Sequence, residues 1–204
     1  MKKIGIMGGT FNPIHVGHLL LAEWAMDEAG LAEVWVVPTG CSYMKANQDI
    51  VSAAERYEMT CKAVEDNPRM KCLDIETGRE GYTYTYETLL ELRSKYPENQ
   101  FYFIFGADCL FTIETWKKPE IIFDNCSIIA AVRGDASIEQ MEAKIAELRD
   151  KYHADIRLLP FLQLEISSTD IRKRVREGKS IKYLVPEQIL SYIEEKGFYG
   201  NEDN

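Results

Sequence analysis

The chain has 204 residues, 46% of them hydrophobic, and carries 24 Lys and Arg against 33 Asp and Glu for a formal net charge of −9. That length suits one domain with its own core, and the acidic balance argues against a nucleic-acid polymer as partner while leaving room for a small anion in a local basic pocket. The five cysteines (Cys41, Cys61, Cys72, Cys109, Cys126) form no CxxC pair and read as reduced thiols of a cytoplasmic protein; the three histidines add no zinc spacing, no apolar run approaches a membrane span, and the short glycine-broken start is not a signal peptide.

Apolar runs alternate with helical patterns along the whole chain. Ile4–Met7, Val34–Val37, Met70–Ile75, Phe101–Phe105, Ser127–Val132 and Ile156–Leu159 are short, continuous and rich in Val, Ile and Phe, as strands covered on both faces are. Between and after them, helical spacing covers Gly17–Ala29, Ala53–Asp66, Tyr86–Tyr96, Ile138–Tyr152, Thr169–Glu177 and Pro186–Lys196. Gly30 and Gly178 follow helices as C-terminal caps, Pro97 ends the third pattern, Pro186 falls in the first turn of the last helix, and Pro119 splits residues 108–124 into two short helices. The order predicts an α/β, Rossmann-like doubly wound parallel sheet with helices on both faces and further helices appended at the C-terminus. One domain spans 1–204, with a frayed tail over 199–204. The longest irregular stretch, Pro38–Ser52, has the length of a functional lid.

The first strand ends in Gly8-Gly9, a turn carrying Asn12-Pro13 follows, and His15 and His18 open the first helix. Glycines at a strand end let backbone approach a phosphate, and a helix start offers free N–H groups and a positive dipole end. His15 and His18 are spaced to face one anion from a single turn. Far downstream, Ser167-Ser168-Thr169 precedes a basic helix with Arg172 one turn in. Ser168 or Thr169 caps that helix, and the Arg172 fork can reach a phosphate. Lys173, Arg174, Arg176, Lys179 and Lys182 continue as a largely solvated basic face.

Gly8-Gly9-Thr10-Phe11-Asn12-Pro13-Ile14-His15-Val16-Gly17-His18 resembles the HxGH loop of the nucleotidylyltransferase superfamily, and within it is most similar to bacterial nicotinate mononucleotide adenylyltransferases; Ile166–Arg172 matches their ISSTxIR motif. The resemblance implies transfer of AMP from ATP to nicotinate mononucleotide, forming deamido-NAD and pyrophosphate, with Mg²⁺ arriving on ATP and no metal site built by the protein. It implies that His18 stabilises the α-phosphate, that His15 holds neighbouring phosphate oxygens, and that Arg172 grips the β- or γ-phosphate. Gly8, Gly9, Thr10 and Phe11 line the adenosine and phosphate path, together with Ser167, Ser168 and Thr169. Gly106 and Asp108 match a Gly-Ala-Asp that lies near the nucleotide, where the carboxylate binds sugar hydroxyls, helps order a Mg²⁺ shell, or only caps the next helix. Thr83–Leu89 resembles SYTxDTL, with Thr83 and Glu87 replacing the usual Ser and Asp; Thr85 caps a helix that meets the pyridine end. Trp116 matches a tryptophan that stacks on the pyridine ring, or is a core aromatic, and Lys117 stands where the family has a second aromatic. Lys45 survives in a segment that otherwise departs from PPHK, where it contacts an ATP phosphate or is a solvent-exposed lysine; Arg56 orders the lid loop, and Arg133 is a candidate for adenine or phosphate.

Other readings remain. Nicotinamide mononucleotide, phosphopantetheine or FMN as acceptor would keep the chemistry, although phosphopantetheine enzymes lack the SSTxIR form and FMN enzymes usually open on a different loop. A non-catalytic nucleotide sensor would not need His15, His18 and Arg172 intact. A dinucleotide-binding oxidoreductase would need GxGxxG, which the opening glycines do not form.

Overall fold

The computed structural model describes residues 1–42, 50–132, 138–161 and 164–200. The strands are β1 (Lys3–Gly9), β2 (Glu33–Pro38), β3 (Cys41–Ser42), β4 (Met70–Cys72), β5 (Tyr82–Thr83), β6 (Gln100–Gly106), β7 (Ser127–Val132) and β8 (Ile156–Pro160). The helices are α1 (Val16–Ala29), α2 (Ala53–Val64), α3 (Thr85–Lys95), α4 (Pro119–Asn125), α5 (Ile138–Tyr152), α6 (Ser168–Arg176) and α7 (Glu187–Lys196). Six strands pair in parallel in the order β4-β2-β1-β6-β7-β8. The chain winds outward from β1 in one direction and then, from β6, in the other, which is the doubly wound arrangement expected from the alternating pattern. The order reverses between β1 and β6, so the crevice for a ligand opens beyond Gly8, Gly9 and Gly106.

Strand alternation divides the core into two layers. Val34 and Val36 of β2, Tyr102 and Ile104 of β6, and Ile129 and Ala131 of β7 join the cluster shared with residues of α1, α2, α6 and α7. Trp35 and Val37, Phe101, Phe103 and Phe105, and Ile128 and Ala130 point the other way, into the cluster that includes residues of α3, α4 and α5. Continuous apolar runs are therefore what a sheet buried on both faces requires. Each fully buried large side chain among them, such as Phe101 or Ile104, contributes about 1.5–3 kcal/mol through burial.

The structure departs from the pattern reading in several places. Residues 107–111 and 113–115 form two 3₁₀ turns ahead of α4, so three short helical pieces replace the two expected. Pro119 begins α4 because Lys118 before it takes a left-handed conformation (φ 52°) and caps it. The Met70–Ile75 run pairs only as far as Cys72. Pro186 is the N-cap of α7 and not a residue of its first turn. A small parallel ladder, Cys41↔Tyr82 and Ser42↔Thr83, joins the segment after β2 to the approach to α3. The expected fraying at 199 is also wrong: Tyr199 is half-buried and its hydroxyl donates to Asn12 Oδ1 at 2.8 Å. A long-range partner holds it, which local composition does not reveal.

Candidate active site

The turn after β1 is a buried structure. Phe11, Asn12, Pro13, Ile14 and His15 are all buried, contrary to the exposed loop that a ligand-facing turn suggests. Phe11 takes a positive φ of 48°, which lays its ring against Gly9; a Cβ at Gly9 would sit 2.8 Å from that ring. The same ring meets His18 edge-on, with centroids 5.0 Å apart.

His15 is the N-cap of α1 in extended conformation, and His18 is its third helical residue. Their rings stack at 3.7 Å with 28° between planes. The His15 N–H donates to His18 Nδ1 at 3.3 Å. In a neutral His18 that contact places the proton on Nε2, so the outer nitrogen is a donor. Gly17 makes the stack possible, because a Cβ there would lie 3.1 Å from His15 Nδ1.

The second motif is tied to the same turn. Ser168 Oγ donates to the Pro13 carbonyl and Arg172 Nη1 to the Asn12 carbonyl, each at 2.8 Å, across more than 150 residues of sequence. Arg172 Nη2 meets Thr169 Oγ1 at 3.4 Å, and Nε is buried without a hydrogen-bond partner. Part of the guanidinium fork thus clamps the histidine turn. The N-cap of α6 is Ser167, not Ser168 or Thr169. Its Oγ accepts from Asp170 N at 3.0 Å, since Ser167 is the last extended residue (φ −129°) and Ser168 is already helical. Ser168 is released to hold Pro13.

Arg56 organises the other side. It is 3% exposed and donates from Nε to Val51 O, from Nη1 to Thr10 O and from Nη2 to Gly40 O. Burial lowers its pKa, opposed by the nearby Tyr199, Cys41 and Glu76 groups. It therefore ties Gly40 and Val51, on either side of residues 43–49, to the turn after β1. Arg56→Ala would leave three carbonyls without their donors and is expected to cost about 2–3 kcal/mol. An unchanged urea midpoint would contradict this, and Arg56→Lys should rescue little because one ammonium cannot span three carbonyls.

Beside this framework lies a cavity of about 370 Å³. Gly8, Gly9 and Thr10 form one edge, Phe103, Phe105 and Ile122 the apolar floor, and Thr85, Trp116 and Lys117 the far side. Trp116 stands edge-on to Phe103, with centroids 6.2 Å apart, and its buried Nε1–H has no protein acceptor. Lys117 is exposed at the rim, its Nζ 5.0 Å above the Tyr84 ring. Thr85 does not cap α3: Tyr84 is the extended N-cap residue and Thr85 is the first helical one, so the helix start offers backbone N–H groups and no side-chain cap. Gly106 and Asp108 lie at the end of β6, where Gly106 is the N-cap of the 3₁₀ turn and Asp108 is exposed in its first turn. Lys45 and Arg133 lie outside the described residues.

No local signal in the sequence marks Glu76, Thr39 or Thr88 as cavity residues, or Asn12 as a hub. Among the described residues, no group of three or more His, Cys, Asp or Glu could hold a metal ion, and no helix is long and apolar enough to cross a membrane.

A histidine pair at the switch point of a doubly wound sheet, with a second helix start docked on the same turn, places the protein among nucleotide-binding α/β folds. The chain belongs to the cytidylyltransferase-like family, matched over residues 6–174. It is 47% identical to a probable nicotinate-nucleotide adenylyltransferase of Lachnoclostridium phytofermentans, covering 98% of this chain and all of that protein. A relative of the same description from Desulfitobacterium hafniense is 44% identical, with 97% and 96% covered. In fold it is similar to Plasmodium falciparum nicotinic acid mononucleotide adenylyltransferase complexed with NaAD, with a TM-score of 0.80 over 98% of each chain at 24% identity.

Proposed function

We infer that the protein is a nicotinate-nucleotide adenylyltransferase. An oxygen of the mononucleotide phosphate attacks the α-phosphorus of ATP, the bond to the β-phosphate oxygen breaks, and pyrophosphate leaves. No covalent nucleophile is needed, so the protein supplies positioning and charge stabilisation. The observation that carries this reading is the docking of both helix starts, α1 and α6, on the Asn12–Pro13 turn beside the cavity. The full-length relatives bearing that description support it.

In this reading the outer nitrogen of His18 donates to the α-phosphate as negative charge builds there, and His15 backs it through the stacked ring. Arg172 keeps α6 on the turn and offers its remaining N–H to the outer phosphates, alongside Ser167 and Thr169. The mononucleotide occupies the cavity, its pyridine ring on Trp116 and its substituent at the start of α3. ATP enters as its magnesium complex, with the metal held through phosphates and water. Calorimetric titration of the nucleotide-free protein with Mg²⁺ is therefore expected to give no tight stoichiometric heat, and such a signal would expose a protein metal site. The five free thiols suit a reducing cytoplasm, where both substrates would be met. A pyrophosphate-release assay with ATP and a panel of mononucleotides tests the assignment. Release with nicotinate mononucleotide is expected, and release only with a different phosphorylated acceptor would reject it.

A further inference from the structure

Tyr199 follows α7 and folds back onto the histidine turn, 187 residues away in the sequence. Its φ of 63° is left-handed, a conformation that a residue with a Cβ disfavours and that persists where surrounding contacts over-determine it. Two sets of contacts do so here. Aromatic rings pack the segment, with the Phe198 centroid 6.0 Å from that of Tyr199 and 5.7 Å from that of Tyr192 on α7. The Tyr199 hydroxyl then donates to Asn12 Oδ1 at 2.8 Å. The direction of that bond is settled, because the same atom accepts from the Val51 N–H at 3.3 Å and an amide nitrogen could not. Burial raises the Tyr199 pKa above the ordinary phenol value, against the pull of Arg172 and Arg56, so the hydroxyl keeps its proton through the neutral range.

Asn12 is itself buried and is gripped at both ends. Tyr199 and Val51 hold its side chain, and Arg172 Nη1 holds its main-chain carbonyl at 2.8 Å. Three residues on, the His15 N–H donates to His18 Nδ1 and the two imidazoles stack. The orientation of Asn12 therefore sets how the main chain enters His15, and through it where the His18 ring stands.

We propose that Tyr199 is a positioning residue for the adenylyl transfer, acting through Asn12 on His18. It touches no reacting atom. Without its hydroxyl a donor to the Asn12 side chain is lost, the turn gains freedom, and the outer nitrogen of His18 is no longer held where charge builds. Such a misplacement lowers turnover more than it lowers substrate affinity, because the donor acts on the transition state. The inference rests on the reading of the protein as an adenylyltransferase.

The test compares Tyr199→Phe with Tyr192→Phe. Each keeps its ring and loses one hydroxyl, but that of Tyr192 donates to Glu58 Oε2 on α2 at 2.6 Å and not to the turn. Tyr199→Phe is expected to lower kcat about tenfold while moving the KM of either substrate less than about threefold; Tyr192→Phe should leave kcat within about twofold. In a His18→Ala background Tyr199→Phe should cost less than about threefold, because residues that act as a unit are not additive. The imidazole ¹H–¹⁵N spectrum of the nucleotide-free protein reads the same coupling without turnover. Of the three histidines, His15 and His18 should shift in Tyr199→Phe and His153, after α5, should not.

Normal kcat in a folded Tyr199→Phe protein overturns the proposal. So do equal losses in the two backgrounds, equal losses in the two Phe variants, or unmoved His15 and His18 signals. A Tyr199→Phe protein that does not fold overturns it as well, since the hydroxyl would then hold the fold and not the histidines. Absence of turnover in the unmodified protein would reject the activity and this role with it, whereas each of the other contrary results removes this inference alone.

Discussion

His18→Ala is expected to lower kcat by about two to three orders of magnitude, the range for losing one preorganised donor to a developing oxyanion. The ring is placed by three contacts: the stack on His15 at 3.7 Å, the edge of Phe11 at 5.0 Å, and the His15 N–H on its Nδ1. All are made without substrate, so the donor needs no reorganisation when charge builds on the α-phosphate. The substitution also removes the acceptor of the His15 N–H in a buried turn, at a cost of about 1 kcal/mol in stability. That loss does not explain a rate effect in protein that remains folded, so kcat should be read on samples whose thermal unfolding has been checked. A folded His18→Ala protein with near-normal turnover would remove His18 from the chemistry.

The acid should be preferred over the amide by roughly two orders of magnitude in kcat/KM. The start of α3 has no side-chain cap, so its first N–H groups are left for the ring substituent. Those donors and the positive dipole end suit a carboxylate and give an amide NH₂ no acceptor. Lys117 adds little, because it is exposed at the rim over Tyr84. Trp116→Ala should weaken both substrates through loss of stacking on a cationic ring, and should leave their ratio less changed than either rate. Comparable kcat/KM values for acid and amide in the unmodified protein would refute this arrangement of the pocket while leaving the phosphate chemistry intact.

What could be read from the sequence is what local periodicity and chemistry encode. Runs such as Val34–Val37 and Phe101–Phe105 name the buried strands, because in a sheet covered on both faces every position is apolar. Gly8-Gly9 and His15-Val16-Gly17-His18 mark the ligand end of β1, because strand, turn and helix start are contiguous there. The rest depends on partners far away in the chain. Nothing near Asn12 signals that Val51, Arg172 and Tyr199 all converge on it, and nothing near Glu76 signals the cavity wall. Short elements fail for a related reason: β3 and β5 have two residues each and exist only through each other. The caps at Ser167 and Tyr84 differ from the expected ones by one or two residues, because the boundary depends on which residue first turns helical and not on composition.

Adenylyl transfer cleaves ATP between its α- and β-phosphates, and the mononucleotide captures the adenylyl group. Parallel incubations with nicotinate mononucleotide and ATP, labelled in one case at the α-phosphorus and in the other at the γ-phosphorus, read it directly. The α-label is expected in a dinucleotide and the γ-label in pyrophosphate. An α-label recovered as free AMP, or a γ-label recovered on the mononucleotide, would contradict it.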